Sequence, residues 1–246
     1  MVQDSGTRLS VIIPAYNEES RLPGTLSSAI EYLKTQPYRS EIIVINDGST
    51  DQTERVVRDQ NPASITLKIV AHSDGANHGK GASVRKGMME AVGAYRIFMD
   101  ADNSTTLDQI ERFWPFFQQG YDVVIGSRAL KDSVICIHQA RYKELAGRFG
   151  NWIVRMLAVP AIRDTQAGFK MFTAKAAELI FPRQTIDRWG YDVELLVIAQ
   201  LYGYRIGEVS ITWMNASGSK VTMKSYFQVL TDVLKIRRNL KAGLYR

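Results

Sequence analysis

Along the first half of the chain, short apolar runs alternate with longer stretches in which apolar residues recur every three or four positions. The runs are "LSVII" (9–13), "EIIVI" (41–45), "LKIVA" (67–71), "YRIFM" (95–99) and "DVVIG" (122–126). Each has the length of a strand, and near-continuous apolar character suits strands covered on both faces. The stretches near 20–34, 52–60, 80–92 and 106–118 carry helical periodicity. Strands separated by helices, with no hairpin dipeptides between them, predict right-handed βαβ units. The fold class is then α/β, a mostly parallel sheet flanked by helices.

After residue 127 the rhythm changes. Residues 128–166 include "RYKELAGRFGNWIVRMLAVP", where Leu145, Phe149, Trp152, Ile153, Met156 and Leu157 fall at helical spacing among Arg141, Lys143, Arg148 and Arg155. A strand "FKMFT" follows, then a helix around 190–202, a strand near 206–212 and a last helix over 224–241. In that helix Phe227, Leu230, Val233, Leu234 and Ile236 interleave with Lys235, Arg237, Arg238 and Lys241. Such a stripe either packs on the core or rests on lipid headgroups. We read one domain over 1–246, with parts at 1–127, 128–223 and a basic amphipathic C-terminal helix at 224–246.

Composition narrows the class. With 246 residues, 45% hydrophobic and 23% charged, the chain has the material of a globular domain with a sizeable core. No apolar run approaches the ~18–20 residues of a transmembrane helix, and "MVQDSGTRLS" lacks a signal peptide's apolar centre. One cysteine, Cys136, excludes an internal disulfide and fits a cytoplasmic location. Three scattered histidines and that single thiol argue against structural zinc. The net charge of +6 is localised. Residues 220–246 hold seven Lys/Arg and one acid, whereas the remaining 24 bases and 24 acids cancel. An anionic bilayer fits this excess better than nucleic acid does. The basic stretches are laced with aliphatics and show no nucleic-acid-binding motif.

In open parallel sheets, ligands bind beyond the carboxyl ends of the strands. Four polar clusters fall there: "PAYNEE" (14–19), "NDGSTD" (46–51), "HSDGANHGKG" (72–81) and "DADNS" (100–104). Each has a structural explanation when taken alone. Pro14 and Asn17 suit a turn, Ser49 or Asp51 a helix cap, Gly79 and Gly81 a hinge. Four together on one rim point to a ligand site. No GxGxxG follows the first strand, and "GANHGKGAS" breaks P-loop spacing. Asp100 and Asp102, two apart on an extended chain, point the same way and repel unless a cation lies between them. Hard oxygen ligands of this kind suit Mg²⁺ or Mn²⁺ bridging to phosphates.

These motifs carry a resemblance. The segments "VIIPAYNEE", "VINDGSTD", "HGKGASVRKGM", "MDAD", "IGSRA", "IRDTQAGFKMF", "RWGYDVELLVIAQ" and "GSKV" are similar to those of the inverting family 2 glycosyltransferases of GT-A fold. The likeness spans nearly the whole chain and is strongest to the dolichyl-phosphate β-glucosyltransferase branch, with dolichyl-phosphate mannose synthase next. It implies a nucleotide-sugar site at Pro14, Ala15, Tyr16, Asn17, Glu18, Ile45, Asp47, Gly48, Lys80, Asp100, Ala101 and Asp102. It implies metal ligation by Asp100 and Asp102, with Ser104 standing where mannose synthases keep a further ligand. It places Arg128, Arg141, Arg148, Asp164, Gln166 and Lys220 at the acceptor phosphate or sugar. Asp192 lies near the general base of relatives whose acceptor is a hydroxyl, and Asp100, Asp102, Arg128 and Asp192 form the catalytic set.

The implied reaction is transfer of a sugar, from UDP-glucose in preference to GDP-mannose or UDP-N-acetylglucosamine, onto a polyprenyl or dolichyl phosphate at a membrane surface. A lipid monophosphate is already anionic, its second pKa being ~6, and needs positioning more than deprotonation. Arg128, Arg141, Arg148 and Arg163 supply planar forks for it, and Asp192 is expected to position rather than to act as base. With no spanning helix, contact with the lipid is expected to be peripheral, through 141–158 and 224–246. The rivals are a nucleotidyltransferase, which would need a Gly-rich loop where "PAYNEESRLPG" stands, and a non-catalytic nucleotide-sugar or phosphate binder.

Overall fold

A computed structural model describes residues 6–60, 62, 65–136, 150–151, 153–214 and 223–246. Strands β1 (Thr7–Ala15), β2 (Arg39–Asn46), β3 (Thr66–Ala71), β4 (Tyr95–Phe98) and β5 (Val123–Ser127) stand at the predicted runs. With them go α1 (Leu22–Lys34), α2 (Thr53–Arg58) and α3 (Lys80–Glu90). β6 (Val134–Ile135), a helical piece α5 at 150–151 and 153–157, β7 (Lys170–Thr173) and α6 (Ala174–Ile180) follow α4 (Trp114–Gln118) and β5. The chain closes with α7 (Tyr191–Leu201), β8 (Ile206–Ser210), β9 (Thr212–Trp213) and α8 (Met223–Lys241).

The main sheet has seven strands in the order β3-β2-β1-β4-β7-β5-β8. Every neighbour pair is parallel except those of β7, which runs antiparallel to both β4 and β5. Alternation divides the apolar side chains between two layers. Ile12, Ile43, Ile45, Phe98 and Phe172 face α3, α6, α7 and α8. Val11, Ile13, Ile42, Val44, Ile97 and Met171 face α1 and the 107–117 segment. Each fully buried aliphatic contributes about 1.5–3 kcal/mol relative to exposure.

Two elements differ from expectation and one is additional. The helix anticipated over 106–118 is a 3-10 turn (Leu107–Arg112) followed by the short α4. Pro115 has no N–H to continue the ladder back to residue 111, so the helix restarts at Trp114. The strand near 206–212 is two strands. β8 pairs with β5 in the main sheet, and β9 leaves it to pair with β6. Helix α6 was not anticipated, yet Thr173 caps it, its Oγ1 accepting from the Ala176 N–H at 3.2 Å.

One polar network crosses the sheet. Glu41 on β2, 2% exposed, accepts from Ser10 Oγ (2.6 Å), from Lys68 Nζ on β3 (2.8 Å) and from the Val92 N–H (2.9 Å). Burial works against its charge, but Lys68, Ser10 and the Val92 N–H outweigh that and hold its carboxyl below the usual glutamate range. A folded-state pKa below the unfolded one adds stability above the ordinary glutamate range. The gain is lost as pH falls through the folded carboxyl's lower range. Glu41→Gln should therefore lower stability at neutral pH and flatten the acid limb of a stability-against-pH curve from urea denaturation.

Candidate active site

β1, β2 and β4 run parallel in near register, with Ala15 opposite Asn46 and Ile12 opposite Phe98, so their carboxyl ends open onto one rim. A cleft of about 460 Å³ lies there. Its walls include Pro14, Ala15, Tyr16, Glu18, Asp47, Lys80, Asp100, Ala101 and Asp102 from the anticipated set. Arg21, Asn77, Gly79, Arg188 and Trp189 also line it; of these the sequence assigns a role to Gly79 alone, as a hinge. Of the other anticipated nucleotide-site residues, Ile45 is fully buried in the core. Asn17 and Gly48 shape the walls instead of lining them.

Asn17 takes a left-handed backbone (φ 51°). Its N–H donates to Ser49 Oγ at 3.0 Å, and its Oδ1 accepts from the Thr50 N–H at 2.8 Å. Asp51 bonds the N–H groups of Glu19 and Thr53. The "STD" part of "NDGSTD" thus ties the β1 and β2 loops together. Gly48 (φ 72°) allows the 75–77 backbone to come close, because a Cβ there would lie 2.8 Å from Ala76 C and Gly75 O. Asp47 fixes the next loop, accepting from Asn77 Nδ2, the His78 N–H and the Gly79 N–H, each at 2.9 Å. That loop delivers Lys80 at the start of α3.

Charges on the floor of the cleft alternate. Lys80 Nζ is bonded to Asp100 Oδ1. Burial favours the neutral amine, but Asp100, Asp192 and Asp102 outweigh it and raise the Lys80 pKa. Asp102 Oδ1 accepts from the Ser104 N–H at 3.0 Å. Beneath lies a buried pair. Lys170 Nζ, 0% exposed, donates to Asp192 Oδ1 and to the Ala167 carbonyl, each at 2.5 Å. Burial pushes the Asp192 carboxyl up and the Lys170 ammonium down, and their mutual attraction opposes both shifts. Lys170 sits inside a motif quoted above but had not been singled out. A buried lysine in "FKMF" was the available signal, since lysine is almost never fully buried unless paired.

To the side, Arg128 Nε and Nη2 grip Asp164 at 2.8 and 3.0 Å, and the Arg128 N–H adds a third bond to it at 2.9 Å. The guanidinium carbon lies 5.4 Å from the Trp213 ring centre. Burial alone would raise the Asp164 carboxyl, but the Arg128 charge and hydrogen bonds hold it below the usual range. Asp164 therefore positions Arg128. Gln166 is half-buried two residues on. Arg141, Arg148 and Lys220 lie outside the described residues.

A divalent cation fits this floor. Among the described residues no cluster of three or more His, Cys, Asp or Glu could form a complete protein cage. Mg²⁺ and Mn²⁺ do not need one when one or two carboxylates and substrate phosphates complete the shell. Asp100 and Asp102 both reach the cleft. Ser104, at the place of a further ligand, is buried and contributes its N–H to Asp102.

The family model described as glycosyl transferase family 2 matches residues 10–172. The human dolichyl-phosphate beta-glucosyltransferase is 34% identical over 263 residues, covering 100% of this chain and 80% of that protein. The Dictyostelium discoideum enzyme of the same name is 34% identical (97% and 76% covered), and the Saccharomyces cerevisiae one 31% (97% and 76%). Among solved structures, glucosyl-3-phosphoglycerate synthase from Mycobacterium tuberculosis, in complex with Mn²⁺, UDP and glucosyl-3-phosphoglycerate, superposes with a TM-score of 0.66. It shares 19% identity, with 94% of this chain and 80% of that one covered, a likeness of fold.

Gly168 sets the position of Asp100. A Cβ there would lie 2.7 Å from Asp100 Cγ and closer still to Oδ2. Gly168→Ala should displace the carboxylate, weakening Mn²⁺ binding in a calorimetric titration by about tenfold or more, with the thermal unfolding midpoint nearly unchanged.

Proposed function

The chain belongs to glycosyl transferase family 2, and from that premise we propose that it transfers glucose from UDP-glucose to a dolichyl or related polyprenyl phosphate, with inversion at the sugar carbon. The observation that carries the reading is the carboxylate pair Asp100/Asp102 in a cleft whose neighbour, Arg128, is held rigidly by Asp164. The names of relatives 31–34% identical over almost the whole chain support the donor sugar and the acceptor.

In this reading Pro14, Ala15, Tyr16 and Asp47 hold the nucleoside, and Lys80, Asp100 and Asp102 border the diphosphate. Asp100 and Asp102 would hold a Mg²⁺ or Mn²⁺, which when bound would supply charge neutralisation for the leaving diphosphate. Arg128 serves the acceptor. Asp164 engages its Nε and Nη2, and Nη1 has no partner among the described residues, so a phosphate oxygen meets a preorganised donor. Gln166 extends that side, and Arg141, Arg148 and Lys220 are proposed to join it. The acceptor phosphate arrives ionised. Asp192, tied to Lys170, keeps that buried ammonium in place instead of receiving a proton. Residues 1–127 then serve mainly the donor, 128–223 the acceptor and 224–246 the membrane.

Helix α8 supplies the membrane contact in this proposal. Its apolar stripe divides: Val229, Val233 and Ile236 are buried against the core, whereas Phe227 (67%) and Leu234 (61%) are exposed. Exposed Leu244 follows, and Lys235, Arg237, Arg238 and Lys241 surround them. No described helix is long and apolar enough to cross a membrane. We assign these residues to peripheral binding on the anionic cytoplasmic face of the bilayer, where each basic side chain contributes about 1 kcal/mol.

UDP should be released from UDP-glucose only when a polyprenyl phosphate is present, and faster than from UDP-N-acetylglucosamine or than GDP from GDP-mannose. Asp102→Asn should abolish turnover while Asp192→Asn lowers it about tenfold or less; equal abolition would count against an acceptor that needs no base. In flotation with anionic liposomes at low salt, Phe227→Glu with Leu234→Glu should leave most of the protein unbound.

A further inference from the structure

The cations around the donor cleft are not equivalent. Lys80 is committed to Asp100, and Arg21 grips Glu18 through Nε and Nη2 at 2.7 and 2.6 Å. Arg188 also lines the cleft, exposed, and its side chain has no hydrogen-bond or ion-pair partner among the described residues.

Its backbone, by contrast, is fixed. The carbonyl of Asp187 accepts from the Ala82 N–H at 3.0 Å, and the Asp187 carboxylate pairs with Arg85 at 2.8 Å. A Cβ on Gly79 would meet Arg188 Cγ and Asp187 O at 2.8 Å, so this segment packs directly on the turn that presents Lys80. On the other side the Gly190 N–H donates to Asp232 on α8 at 3.1 Å. Glu194 accepts from the N–H groups of Thr185 and Ile186 and from the Tyr245 hydroxyl. A rigid backbone carrying a solvent-facing, uncommitted guanidinium into a cleft with Asp102 is a poor use of an arginine unless an anion arrives there.

We propose that Arg188 binds the terminal phosphate of the donor's diphosphate and stabilises it as it leaves. This rests on the donor reading above. In the reaction an acceptor phosphate oxygen forms a bond to the anomeric carbon, and the bond from that carbon to the diphosphate oxygen breaks. Its electron pair stays on the diphosphate, which gains a negative charge. A guanidinium already in place favours that charged state over the intact donor, so its contribution falls on turnover more than on donor binding. The commitment to the donor over the acceptor follows from placement. Arg188 shares a cleft with Pro14, Tyr16, Asp47 and Asp102, a cleft that Arg128 does not line.

The test is calorimetric titration of UDP and UMP, each with Mn²⁺ and without acceptor, into the full chain and its Arg188→Ala and Arg188→Lys variants. Arg188→Ala should bind UDP about tenfold or more weakly and UMP within about threefold of the unaltered protein. Arg188→Lys should lie between, and melting temperatures should agree. With polyprenyl phosphate present, Arg188→Ala should lower kcat more than it raises the donor KM. Unchanged UDP affinity in Arg188→Ala overturns the inference and leaves the donor reading intact, provided Asp102→Asn still loses UDP. Equal weakening of UDP and UMP also overturns it, since the contact is then not with the terminal phosphate. If the unaltered protein binds no UDP with Mn²⁺, the donor reading falls and the inference with it.

Discussion

Two carboxylates one residue apart at a strand end are costly to hold together, and the site is organised around that cost. Asp100 and Asp102 both line the cleft, in the turn that follows β4 and not on an extended chain, and Lys80 meets the first of them from the start of α3. Below, Lys170 and Asp192 form a buried pair, and alongside lies Arg128 with Asp164. The array counts four carboxylates against three cations. Asp100, Asp164 and Asp192 each have a cation in direct contact, which lowers the repulsion these three carboxylates feel. Asp102, which has no ion-pair partner among the described residues, lines the cleft that the proposed donor's diphosphate and its divalent ion would enter.

Topology makes this array affordable. β7 enters between β4 and β5 against the direction of both, which brings Gly168 under Asp100 and Lys170 beneath the floor. A parallel strand in that slot would carry the 167–170 segment to the opposite rim. The Lys170–Asp192 pair is weak evidence of stability in itself, because desolvation of both partners offsets their attraction. Its value is positional.

Much of the donor side was legible in the sequence because its residues are local. "PAYNEE", "NDGSTD" and "DAD" each follow an apolar run directly, so the strand pattern alone places Asp47, Asp100 and Asp102 on one rim. The pairs were not legible. Arg128 and Asp164 are joined across a long connection, and Lys170 and Asp192 across a strand, two helices and a turn. Charge identity cannot select such partners without the fold. Arg188 and Trp189 were hidden for the same reason: nothing in "DRWGYD" says that it packs on Gly79. The break at Pro115, by contrast, was readable, and so was the Thr173 cap. In α8 the apolar positions were visible, but which of them face the core depends on where the helix docks.

The inserted strand also bears on how the chain is made. β4 and β5 share no hydrogen bonds; each pairs with β7. A ribosome that has delivered the first 127 residues has produced both of these strands but not the one that joins them. Their facing edges stay open until Lys170–Thr173 emerges, a window in which a bare strand edge can recruit another chain. Biosynthesis thus has an interval of vulnerability whose length is set by the segment between β5 and β7. Lengthening that segment would prolong the exposure without altering a single contact in the finished sheet.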